Sequence, residues 1–158
     1  MKIKSTGCCE PFSPSLWEDK EIKWVNKLFV KDHVVSFLHI PLNYGNIVTR
    51  NLDLIEKANA KTFDQLMLTD EKSLWGADIY FAVSKNVTGA QMKNLTGIFL
   101  TKVFEGPFQN VGKWIEEMKI FVENKDKKIK KLYFFYTTCP KCAKVYGKNY
   151  VVLFAQIN

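Results

Sequence analysis

The stretch FLTKVFEGPFQNVGKWIEEMKIFVE, Phe99 to Glu123, changes its hydrophobic period once, at Gly106-Pro107. Before the break, Ile98 to Val103 is a dense apolar and β-branched run that reads as a buried strand. After it, Val111, Trp114, Ile115, Met118, Phe121 and Val122 recur at the spacing of one helix face. Gly106 takes backbone angles closed to other residues. Pro107 has φ preset for a first helical turn, where its missing N–H would have no intrahelical partner anyway. The residues themselves therefore specify strand, turn and helix.

The same unit is written once more upstream. Val34 to Ile40 is a strand-like run, Leu42 to Gly45 is a break, and Ile47, Leu54, Ile55 and Ala58 follow at helical intervals. Tyr44, Asn46, Ile47, Leu54 and Ala58 stand 64 positions before Phe108, Asn110, Val111, Met118 and Val122, so one register aligns two breaks and two helix faces.

Around these two units, Lys23 to Val30 reads as a first strand, and Lys31-Asp32-His33 as a polar turn into Val34. The first helix is expected over Asn46 to Asn59. Lys61 to Ser73 fits a short helix or a wrapped loop equally well. Further strands are expected at Ala77 to Val83, from Leu95 into the opening stretch, at Leu132 to Thr138 and at Tyr150 to Ile157. An antiparallel sheet backed by two helices satisfies this order better than an alternating parallel one, which places the chain in the α+β class.

The 158 residues, 47% of them apolar, suffice for a single core. A formal charge of +7 and the cluster KDKKIKK, Lys125 to Lys131, raise anionic partners. The cluster falls where a helix ends and a strand begins, so a solvated connection is the expectation; with no recognition helix or aromatic-basic RNA motif, no nucleic acid partner is expected. The N-terminus MKIKSTGCCEPF lacks an apolar run of secretory length and no membrane span is present, so a cytoplasmic location and no membrane partner are expected.

The signature FEGPFQNVGKW, joined to the doubled strand-helix pattern, resembles the GyrI-like small-molecule-binding domain. The resemblance covers about Val34 to Ile157; residues 1–31 are read as a lead-in with the first strand, and residues 32–158 as the GyrI-like domain. It implies duplicated β-α-β-β units whose antiparallel sheet is backed by two helices, with a ligand cleft between the halves. It also implies hydrophobic small molecules as ligands. Some stand-alone members of that family are hydrolases that open cyclopropane rings in alkylating compounds, and the ending CPKCAKVYGKNYVVLFAQI looks like a subgroup labelled only as hydrolase. The function expected from the resemblance is thus hydrolysis of hydrophobic or electrophilic xenobiotics. A non-enzymatic sensor or sequestering protein is the first alternative, and a zinc-stabilised interaction module the second.

Catalysis of ring opening needs a base for water or an acid for the developing oxyanion. Glu105, beside Gly106 at a strand end, is the first candidate; its position near a helix start equally suits interaction with the helix dipole. Asp78, a charge inside an apolar strand, is the second. Trp75, Tyr80, Trp114 and Tyr136 are candidate ligand walls, since their polar edges need partners when buried, and His39 is a core or cleft residue. Cys139 and Cys142 form a C-x-x-C that, with Cys8 and Cys9, would make a four-thiolate structural zinc site; reduced thiols at a turn are the alternative. No cofactor is required by this reading. No phosphate loop, nucleophile elbow or paired-carboxylate motif occurs.

Overall fold

The computed structural model describes residues 12–37, 40–62, 65–73, 75–137 and 149–158. They form two compact units, one spanning Trp24–Thr96 and the other the residues up to Lys23 together with Gly97–Asn158. The chain alternates helix with antiparallel strands in both, an α+β architecture with one long helix in each unit.

The first unit is built from β1 (Lys20–Phe37, entering from the other unit), the short β2 (Ile40–Pro41), α1 (Tyr44–Lys57), β3 (Met67–Ser73) and β4 (Gly76–Ala82). Its strand order is β2-β1-β4-β3, every pair antiparallel. The second unit has β5 (Gln91–Glu105, which begins in the first), a 3-10 turn at Phe108–Asn110, α2 (Val111–Glu123), β6 (Lys131–Tyr136) and β7 (Tyr150–Gln156), ordered β5-β7-β6. In both units the last strand is central. The strands before and after the helix are therefore both antiparallel to it and parallel to each other, which requires a crossover of helix length.

Each helix buries one stripe on one face of its sheet. Ile47 and Ile55 pack with Val30, Val34, Ile79 and Phe81; Trp114, Met118 and Val122 pack with Leu100, Phe104, Phe134, Val151 and Leu153. The repeat is one of elements rather than of a single residue spacing. Buried Asn51 and Ile55 stand 63 positions before buried Trp114 and Met118, one fewer than the 64 that align the breaks. A one-residue shift turns a helix face by about 100°.

The expected turn at Lys31-Asp32-His33 does not exist. These residues lie in the middle of β1, with Cα partners Tyr80, Ile79 and Asp78 on β4. Alternation explains why a polar triplet continues a strand here. Asp32 points to the helix side, where its carboxylate accepts hydrogen bonds from Arg50 and from Asn51 Nδ2 at 2.7 Å. Asn51, itself buried, also donates to Ile47 O at 2.8 Å. Lys31 and His33 point to the opposite face, where Asp78 receives both. Each polar group has a partner across the strand, so none has to reach water through a turn.

Lys61 to Ser73 is likewise neither helix nor only loop, because Met67–Ser73 is β3, paired with β4 in register Leu68↔Tyr80 and Asp70↔Asp78. Thr69, Asp70 and Glu71 dilute the apolar alternation that would have marked the strand. With β3 in place, the order reads β-α-β-β twice. The Gly106-Pro107 break is as expected: β5 stops at Glu105, Gly106 has φ 140°, and Asn149 brackets it by donating Nδ2 to Gly106 O at 2.7 Å and accepting its N–H at 3.1 Å. The lysine cluster lies in the connection between α2 and β6. No helix among the described residues is long and apolar enough to cross a membrane.

Met118 is fully buried beneath α2, so Met118→Ala is expected to cost about 2–5 kcal/mol in urea unfolding. For Asp32, burial alone would push the carboxyl up, but the hydrogen bonds from Asn51, Arg50 and the His33 N–H, with the Arg50 charge, outweigh it and hold the group below its ordinary value. A depressed folded pKa contributes stability above the ordinary carboxylate value that is lost as pH falls through the folded one. Asp32→Asn is therefore expected to be less stable than wild type at pH 7, with the gap closing in acid once the wild-type carboxyl is protonated; thermal unfolding across pH measures this.

Candidate functional site

The face of the first unit's sheet turned away from α1 carries Phe29, Lys31, His33 and Val35 from β1 and Gly76, Asp78 and Tyr80 from β4. Leu68 and Asp70 follow from β3 by the same register. Asp78 is at its centre and only 5% exposed. A carboxylate out of water must be met by charge or hydrogen bonds, and the structure supplies both. His33 Nδ1 lies 2.9 Å from Asp78 Oδ1, and Lys31 Nζ lies 3.5 Å from Oδ2. The Lys31 ammonium also sits over the Tyr80 ring, 5.9 Å from its centroid, and Phe29 meets Tyr80 edge-on at 6.2 Å.

In the Nδ1–H tautomer the ring donates this hydrogen bond to the carboxylate and keeps a lone pair on Nε2. The His33 side chain is 55% exposed. Its seat is made by Gly76. A Cβ there would stand 2.6 Å from His33 Nε2, 2.7 Å from Cε1 and 3.1 Å from Val34 O. The ring thus lies across a backbone that only glycine leaves bare. Asp70, also buried, stands directly opposite Asp78 on β3.

Apolar side chains remain at one end of the unit. Val35 shares the face of His33 and is half exposed; Leu42 and Trp75 are exposed as well, Trp75 at 57%. The backbone ties them together, since Leu42 N–H donates to Val35 O at 2.9 Å and Ser36 N–H to Trp75 O at 2.8 Å.

Of the residues singled out in the sequence, Asp78 and Tyr80 lie side by side on this face, and Trp75 is in the β3–β4 turn next to Gly76. Glu105, Trp114 and Tyr136 belong to the second unit. Glu105 is exposed at the end of β5; Trp114 is 4% exposed and stacked on Phe104 at 5.8 Å in the core beneath α2; Tyr136 stacks on Phe134 at 6.0 Å. His39, Cys8, Cys9, Cys139 and Cys142 lie outside the described residues. Among the described residues no group of three or more His, Cys, Asp or Glu side chains is placed to hold a metal ion.

Sequence reasoning missed Lys31 and His33, which it spent on a turn. Strand alternation alone would have put both on one face, but nothing in the spacing joins residue 33 to residue 78.

A family model described as bacterial hydrolase matches residues 1–157 of the chain. A solved structure of an uncharacterized conserved protein from Listeria innocua superposes with a TM-score of 0.67 at 13% identity, covering 89% of this chain and 92% of that one. A hydrolase from the same organism superposes with a TM-score of 0.63 at 11% identity and the same coverages. At these identities the likeness is one of fold. No curated protein matches the sequence.

Gly76 is not in the left-handed region, so an added methyl acts by steric contact rather than by backbone strain. Gly76→Ala is expected to displace the imidazole from Asp78 while the sheet stays intact. Imidazole NMR signals and circular dichroism together check it; unchanged His33 signals would refute the seat.

Proposed function

Because the chain belongs to the bacterial hydrolase family, we propose that it hydrolyses a hydrophobic, electrophilic small molecule, with His33 and Asp78 activating the water. The observation that carries this reading is the 2.9 Å contact between His33 Nδ1 and the buried Asp78 carboxylate, beside exposed apolar side chains. Water bound at Nε2 gives up a proton to the imidazole as its oxygen attacks the electrophilic carbon. Asp78 holds the ring in the required tautomer and stabilises the imidazolium that forms. The imidazolium then returns the proton to the atom released from that carbon. Val35, Leu42 and Trp75 supply apolar and flat surface for the body of the substrate.

The doubled β-α-β-β order and the Gly-Pro-aromatic signature support placing the chain with the GyrI-like proteins, which brings strained cyclopropane-bearing compounds into the substrate range. In this reading Asp78, the second of the two acids singled out in the sequence, acts as partner of a base rather than as the base itself.

The test is turnover of a panel of neutral hydrophobic electrophiles, including an aryl cyclopropyl ketone, an epoxide and an aryl ester, in heavy-oxygen water with mass spectrometry of the products. Label in the released product over many turnovers is expected from wild type. General-base catalysis contributes about 10²–10⁴-fold, so His33→Gln is expected to lose about that much, with a loss of the same order for Asp78→Asn. Ligand bound but unchanged by wild type would make the protein a binder, and full turnover by His33→Gln would remove the assignment.

A further inference from the structure

The proposed base does not account for Lys31. Its ammonium takes the second oxygen of the carboxylate whose first oxygen holds His33, so a cation and an imidazole flank one carboxylate on one face of β1 and β4. The Lys31 side chain is 26% exposed, and its ammonium sits over the Tyr80 ring as well as against Asp78. We infer that Lys31 is the cationic partner of His33 and that the substrate class is carboxylic esters of phenols. This rests on the water-activating role of His33 and deepens it.

The reason is where charge develops. Attack of water on an ester carbonyl builds negative charge on the carbonyl oxygen, and a fixed donor there stabilises the transition state more than the ground state. Proton transfer to His33 and charge stabilisation by Lys31 are needed together at a carbonyl. A strained ring opened by water also builds negative charge, but on the group that leaves the attacked carbon; an ester carbonyl keeps the attacked carbon and the charged oxygen one bond apart, which suits two groups held on one carboxylate. The buried carboxylates Asp70 and Asp78 disfavour an anionic phosphate ester by like-charge repulsion, which leaves a neutral ester. An aryl leaving group suits the exposed Trp75 ring and departs as phenoxide without a strong acid behind it.

The step balances without a further reactant. The water oxygen bonds to the acyl carbon and its proton passes to His33 Nε2. The tetrahedral oxyanion forms at Lys31, and its collapse breaks the bond from acyl carbon to aryl oxygen. The imidazolium gives its proton to the phenoxide, and the carboxylic acid and phenol leave.

The experiment follows release of 4-nitrophenol from 4-nitrophenyl butyrate, with styrene oxide as an electrophile lacking a carbonyl and 4-nitrophenyl phosphate as an anionic ester. Wild type is expected to show saturable turnover of the butyrate and little of the other two. Loss of one oxyanion donor costs about 10²–10³-fold in kcat, and Lys31→Met is expected to show that loss with KM little changed. Lys31→Gln, which keeps a donor for Asp78, should show a similar loss, and Lys31→Arg should restore much of the rate. Full ester turnover by Lys31→Met overturns the inference, as does wild type hydrolysing styrene oxide in preference to the ester; in both cases the His33 base survives. Full ester turnover by His33→Gln overturns both.

Discussion

A carboxylate removed from water needs partners, and Asp78 meets Lys31 and His33 from the neighbouring strand. From the middle of β4 it faces a cation and an imidazole presented by β1, and Gly76 leaves bare the backbone against which the His33 ring packs. Replacing the whole group by apolar residues would make a simpler sheet, since buried ion pairs rarely outdo hydrophobic packing. The group stands on the face that α1 does not cover.

The same requirement explains β1. A run of Lys, Asp and His in a strand is tolerable only where both faces of the sheet have polar partners ready. Here alternation divides the triplet. Asp32 goes to Arg50 and Asn51 on the helix side, and Lys31 and His33 to Asp78 on the other. Asn51 is accordingly the polar member of an otherwise apolar helix stripe, and α1 is anchored to its sheet by a hydrogen-bonded carboxylate as well as by Ile47 and Ile55. The counterpart position in α2 holds Trp114, packed in an apolar cluster with Leu100, Phe104 and Phe134, while Lys102 of β5 sets its ammonium over the Phe121 ring of that helix.

The two units thus repeat an order of elements while using the sheet face away from the helix differently. In the second, Trp17 lies against Phe135 and Phe154 on that face, with its carbonyl accepting a 2.6 Å hydrogen bond from Thr101 Oγ1. Phe12 adds contacts to Phe135 and Tyr150. Residues 12–17, which have no period of their own, are therefore held by aromatic packing and one backbone acceptor rather than by local propensity. In the first unit the equivalent face holds the charged group.

By itself the sequence determined the two helices, the break at Gly106-Pro107 and the α+β class, because hydrophobic period and turn chemistry are local properties that neighbouring residues state together. It also singled out Asp78, since a charge amid AxIYFAV is anomalous wherever the strand is placed. It did not reveal β3, whose polar residues mask the alternation until β4 supplies the register, nor the continuity of β1, whose polar triplet imitates a turn until partners exist on both sides. The pairing of His33 with Asp78, 45 positions apart, and the bare backbone at Gly76 that seats the ring were decided only by the tertiary structure. Strand register brings together residues that sequence distance keeps unrelated, and no local rule encodes which strand a carboxylate will face.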